Sequence, residues 1–163
     1  MNKVRADEIE PRTDIEALGL GYFVKMMQRD IDGFAALWHE DAVINIPFRP
    51  EGLGMAIPEA LVGKATIVEQ YAKQMKNRRD HVFWISAMHL TTDPNCVIAE
   101  ASARSIVGET GGVYENSYVM VFRAKDGLLI DLNEYVNPIK VANALHMMFP
   151  SAPTNVVEQT SAS

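Results

Sequence analysis

A single cysteine in 163 residues, Cys96, excludes an internal disulfide and suits a reducing compartment. Cations are also scarce. Fifteen Lys and Arg against 21 Asp and Glu leave a formal charge of −6, which argues against a nucleic-acid partner held by phosphate neutralisation. The one basic cluster, Lys76, Arg78 and Arg79, falls at an expected helix end, where cations complement the helix dipole. No apolar run approaches the roughly 18 residues that span a membrane. The polar, charged N-terminus carries no signal-peptide pattern, so a cytoplasmic setting without a membrane partner is expected. Repeats, low-complexity blocks and linkers are absent as well. There is no glycine-rich phosphate loop, no nucleophile elbow and no Cys/His pair with a family signature. His81 and His89 share a strand face but lie eight residues apart, too far along an extended chain for both to reach one metal ion. His39 and His146 match no metal pattern, and no metal site is expected.

What is present is a chain about half apolar and long enough for one domain with a real core. Residues 1–12 are polar and charged, and the end from Pro150 to Ser163 is rich in Ser, Ala, Pro and Thr; both are expected to be flexible extensions flanking one domain over 13–149. Thr13 followed by Glu16 is a capping-box signature, and Ile15, Leu18, Tyr22, Phe23 and Met26 then recur at helical spacing. A second helix is expected from Asp32 to Glu40, with Phe34, Leu37 and Trp38 facing inward. Val43 to Phe48 reads as a strand, residues 49–62 as a loop with two prolines and two glycines, and a third helix runs from Gly63 to about Lys76. From His81 the period becomes two. Strands are expected at 81–91, 96–108, 113–123 and 128–136, with turns at Asp93-Pro94-Asn95, Glu109 to Gly112 and Lys125-Asp126-Gly127. Loops this short make consecutive strands antiparallel. Asn137 and Pro138 suit the cap and first position of a closing helix through about Met148. The class is therefore α+β, with helices covering one sheet face.

Counting by two from Leu128 through Ile130 and Leu132 puts Glu134 on an apolar face. A carboxyl group withdrawn from water has its charged form disfavoured, which tunes it for acid–base work near neutrality. The bland alternative is a solvated strand end or an ion pair with Arg104 or Arg49. Gln70 and Gln74 share a helix face with Ile67 and Tyr71. On the strand 113–123, Tyr114, Asn116, Tyr118, Met120 and Phe122 form one face, and Glu115, Ser117, Val119 and Val121 the other; either could line a pocket, the first suiting an aromatic ligand. Nine methionines are many for this length. Their default is core packing, and Met26, Met88 and Met120 would give an adaptable wall if they lined a pocket.

This order of elements resembles the nuclear transport factor 2-like superfamily, which implies a cone-shaped α+β barrel: three N-terminal helices on a strongly curved antiparallel sheet, with a short C-terminal helix. The segment from Tyr22 through Asp30-Ile31-Asp32-Gly33-Phe34 to Leu37-Trp38 resembles the opening of ketosteroid isomerase, and Gly63-Lys64-Ala65 with Ile67 resembles the third helix of the SnoaL-like branch. Asp93-Pro94-Asn95, Glu100, Tyr114-Glu115-Asn116, Phe122, Gly127, Glu134 and Asn137-Pro138 are most similar to the phenazine biosynthesis A/B family. The resemblance implies a homodimer through the outer sheet face and no cofactor. Residue by residue it is incomplete. Ile46 stands where the isomerases carry their proton-shuttling aspartate, no Asp occurs between Asp93 and Asp126 for the oxyanion hole, and Gln70 replaces the helix histidine of the phenazine proteins. Tyr22 and Glu134 do match. The function expected is a cofactor-independent lyase or isomerase acting by proton transfer on a hydrophobic, aromatic or polyketide-like small molecule. Glu134 and Tyr22 would be catalytic, and Gln70, Gln74, Asn116, Tyr118, Met120 and Trp38 would contact substrate. The alternative is a non-catalytic module that binds a small molecule or another protein.

Overall fold

A computed structural model describes residues 3–48 and 59–146. The chain begins with β1 (Val4–Arg5) and a single 3-10 turn, Ala6–Glu8, followed by α1 (Asp14–Gln28), α2 (Ile31–Ala36) and β2 (Trp38–Asn45). Next come β3 (Ala60–Val62), α3 (Lys64–Asn77), β4 (Arg78–Leu90), β5 (Cys96–Val107), β6 (Val113–Lys125), β7 (Leu128–Val136) and α4 (Pro138–Ala144).

Local chemistry sets the helix ends. Thr13 caps α1 by accepting from the Glu16 N–H, as its spacing predicts. The other half of the expected capping box is not made. The Glu16 carboxylate, buried, instead accepts from the backbone N–H and guanidinium of Arg12. Arg29 closes α1 in the left-handed conformation, Asp30 caps α2 through the Gly33 N–H, and Asn137 caps α4 by accepting from Ile139 and Lys140.

The strands form one sheet in the order β1-β4-β5-β6-β7-β2-β3. It is mostly antiparallel, but β2 and β7 are neighbours in the sheet and run parallel. The sheet curves without closing into a barrel, leaving β1 and β3 as its edges. Register shifts in β4, in β2 and between β6 and β7 mark bulges, where the extra residue bends a strand and sharpens its twist. Helices cover the concave face. An aromatic cluster of Tyr22, Phe23, Phe34, Trp38, Tyr71, Phe83 and Phe122 fills the junction.

Four expectations need correction. The second helix stops at Ala36, and Trp38 opens β2 instead of closing a helix, because its backbone pairs with Leu129 of β7 while its ring is buried in the core. That strand ends at Asn45, before Phe48. Within the expected loop, residues 60–62 pair with β2 as β3, whereas 49–58 lie outside the described residues. Residues 3–12 do not stand apart as an extension: Val4 and Arg5 pair with Ile85 and Trp84, and Ala6 is buried. The end from Pro150 to Ser163 lies outside the described residues.

Candidate active site

Glu134 lies near the end of β7. Its cross-strand partner on β6 is Met120, flanked by Phe122 opposite Leu132 and Tyr118 opposite Val136. All of these except Val136 and Glu134 are buried. Glu134 thus belongs to the concave, apolar face, but only part of the parity count behind it holds. Arg123 pairs with Asp131 and Ala124 with Leu129, so Ile130 is an extra residue between them. The bulge puts Leu129 into the core in place of Leu128 and Ile130, and the expected alternation runs true from Leu132 onward.

Glu134 borders a cavity of about 290 Å³. One wall is aliphatic: Ile46 and Leu61 from the β2–β3 edge, Val136 after the carboxylate, and Val141 and Leu145 from α4 and its C-cap. The face of α3 that carries Gln70, Lys73, Gln74 and Asn77, continued by Arg78 at the start of β4, also lines the cavity. Tyr71 and Tyr114 close the inner end, and Glu109 stands at the rim on the β5–β6 turn. The i, i+4 spacing of Gln70 and Gln74 puts both amides on the cavity side, and neither has a side-chain hydrogen bond among the described residues.

Behind the carboxylate runs a chain of hydroxyls. Tyr22 donates to the Tyr71 hydroxyl at 3.0 Å, and Tyr71 donates to Glu134 Oε2 at 2.9 Å. Oε1 is left without a protein partner among the described residues. Burial raises the Glu134 pKa above its ordinary value, opposed by the Tyr71 hydrogen bond and the charge of Arg78. Glu134 keeps some accessible surface, but that surface borders the cavity. Burial pushes the hydroxyls of Tyr22, Tyr71 and Tyr118 well up, so all three are neutral at physiological pH.

The structure distributes the other expected residues differently. Tyr22 reaches the cavity only through Tyr71. Asn116, Tyr118 and Met120 lie on the inward face of β6, and of the two faces left open that one is buried. None of the three borders this cavity. Both polar ends of Asn116 are spent: its amide donates to the Tyr114 hydroxyl and the Asn137 carbonyl and accepts from Ser117 and Asn137 N–H. Tyr118 is bonded to Tyr114, and Met120 packs in the core. Trp38 is fully buried beside Tyr22 and Phe34, and its indole N–H has no partner within the described protein. Of the methionines weighed as a wall, Met26 is buried in the core and Met88 packs against it. Two residues that line the cavity are not found by the sequence reading. Tyr71 shares the helix face of Gln70 and Gln74, but an aromatic on an apolar stripe reads as core. Arg78 read as a helix-end cation, since nothing local shows that β4 begins there and turns the side chain inward. Among the described residues no group of three His, Cys, Asp or Glu is placed to hold a metal ion.

Comparison with known proteins places the fold. Residues 21–132 match the SnoaL-like domain family. The YesE protein of Bacillus subtilis is 32% identical over 123 residues, covering 76% of this chain and 81% of that protein. A PhzA/B-like protein of Pseudomonas aeruginosa is 25% identical over 119 residues, covering 71% and 79% of the two chains. A Bacillus subtilis crystal structure, described as a proposed isomerase, superposes with a TM-score of 0.70 at 28% identity, covering 91% of this chain and 99% of that one. The chain belongs to the SnoaL-like family of the nuclear transport factor 2-like superfamily.

Proposed function

We propose that this protein is a cofactor-independent enzyme of isomerase or lyase type that moves a proton on a hydrophobic small molecule bearing a carbonyl or hydroxyl group. The observation that carries this reading is a carboxyl group whose Oε2 is held by the Tyr22–Tyr71 chain and whose pKa is raised by burial at the inner end of a cavity. Oε1 is then the atom that takes the proton from a carbon next to the substrate carbonyl. The electron pair of the broken C–H bond moves onto the carbonyl oxygen, where the amide N–H groups of Gln70 and Gln74 receive the developing charge. Returning the proton to another carbon isomerises the substrate; giving it to a β-hydroxyl as the enolate collapses and the C–O bond breaks releases water and leaves a C=C bond. Tyr22 acts at one remove, since its hydroxyl bond polarises Tyr71 and keeps Glu134 in one orientation. The aliphatic wall accounts for a hydrophobic substrate.

Glu134→Gln keeps the shape and the Tyr71 hydrogen bond but removes the base. Turnover of a substrate found by screening hydrophobic carbonyl compounds is expected to fall about a hundredfold or more. If the variant turns over unimpaired, Glu134 is not the base. If ligands bind but are never converted by the native chain, the protein is a carrier and not an enzyme.

A further inference from the structure

Arg78 is the unspent charge of this cavity. Arg5, Arg12, Arg104 and Arg123 each have a carboxylate partner within 4.0 Å, and Lys73, on the same cavity wall, pairs with Glu69. Arg78 has none among the described residues. Its single side-chain hydrogen bond runs to the buried Ser105 hydroxyl at 3.1 Å, and its guanidinium lies 4.0 Å above the Tyr114 ring. These two contacts hold the plane of the group in place while most of its five N–H donors are left over. A guanidinium cannot shed its proton, so half-burying it with no carboxylate in contact is a standing cost that an incoming anion relieves. Arg78 and Glu134 border the same cavity without forming an ion pair, although the charge of Arg78 acts on the carboxyl group. Two acids of the cavity oppose an anion: Glu134 when it is ionised, and Glu109, which is exposed on its turn and screened by solvent.

We infer that the ligand of this cavity is a small hydrophobic carboxylic acid, its carboxylate held by the Arg78 fork, its apolar body against Ile46, Leu61 and Val141, and its reactive carbon turned toward Glu134. A guanidinium is suited to this because it matches a carboxylate with two parallel hydrogen bonds, and one carboxylate oxygen can accept from Gln74 as well. Anchoring the acid at one end and leaving the base at the other selects for substrates whose labile proton lies close to the carboxyl group. The inference rests on the reading of this cavity as the ligand site, but not on Glu134 being a base.

Calorimetric titration with naphthoate and with naphthylmethanol compares an anionic head with a neutral polar one on the same apolar body. The native protein should bind naphthoate about tenfold to a hundredfold more tightly, the range expected for hydrogen bonds to a charged group. Arg78→Gln should erase that preference while leaving naphthylmethanol affinity within about twofold, and Arg78→Lys should keep part of it because the charge stays and the fork is lost. Glu134→Gln should preserve the preference, whatever it does to turnover. Equal affinity for the two probes in the native protein would overturn the inference, as would an Arg78→Gln variant that melts like the native protein yet weakens both equally. If neither probe perturbs the side-chain amide resonances of Gln70 and Gln74, the cavity is not a ligand site, and the proposed function falls with it.

Discussion

Glu134 and His81 respond to pH in opposite senses, and both can be followed by melting. Burial raises the Glu134 pKa in the folded state, so the folded chain holds that proton more tightly than the unfolded chain does. The stability this provides is complete below the unfolded value of about 4.3 and is lost as pH rises through the folded pKa. At neutral pH an ionised Glu134 is therefore a net cost. Glu134→Gln should melt higher than the native protein there and approach it in acid; a lower neutral melting point would contradict the sign. His81 sits against Phe83 with neither ring nitrogen bonded within the described protein, and burial, then Arg78 and Arg29, lower its pKa to about 4. Here the unfolded chain takes the proton first. Stability should fall on the order of 3 kcal/mol as pH drops from about 6.5 to about 4, and His81→Leu should flatten that limb. The carboxylate was legible from parity and resemblance, since it lies in a strand and has a family position. Tyr71 and Arg78 were not, because what marks them is a partner more than sixty residues away and a change of element, respectively.

At the scale of elements, Asn116 links β6 to α4, which supplies Val141 to the cavity. Its side chain ties the Tyr114 hydroxyl to both backbone groups of Asn137, the residue that caps the helix. Asn116→Ala removes the bonds to both Asn137 backbone groups, leaves Tyr118 as the remaining partner of the Tyr114 hydroxyl, and should cost about 1 to 3 kcal/mol. Amide exchange in α4 should speed up while the β6–β7 pairs around Glu134 stay protected. Equal acceleration in both would mean that Asn116 supports the sheet generally. Elements with long, clean periods were legible: α1, α3 and the four strands from β4 to β7 stand close to their expected places. The errors fall where two periods meet. Leu37-Trp38 continues the helical pattern of Phe34, yet Trp38 pairs with Leu129, and the extra residue at Ile130 breaks a count by two that nothing in Leu-Leu-Ile-Asp-Leu announces.

For the whole molecule, the first residues complete one edge of the sheet. Val4 and Arg5 pair with β4, Ala6 is buried, and Ile9 packs against the core. Deleting residues 1–9 should expose this apolar surface and cost about 1 to 3 kcal/mol, lowering the thermal midpoint by several degrees. An unchanged midpoint would show that the segment lies on the domain without stabilising it. Composition and periodicity by themselves determined the α+β class, the antiparallel meander from β4 to β7, the caps of α1 and α4, and, from Leu132 onward, the inward parity of Glu134. These rest on local preferences and on alternation, which each segment carries in its own residues. Only the tertiary structure decided that β2 lies parallel to β7, that the N-terminal segment closes an edge, that Tyr22 reaches Glu134 through Tyr71, and that Arg78 faces the same cavity. Those depend on which distant segments share a hydrogen-bonded edge or a packed face, a choice made by the burial of the whole chain at once and written in no single stretch of it.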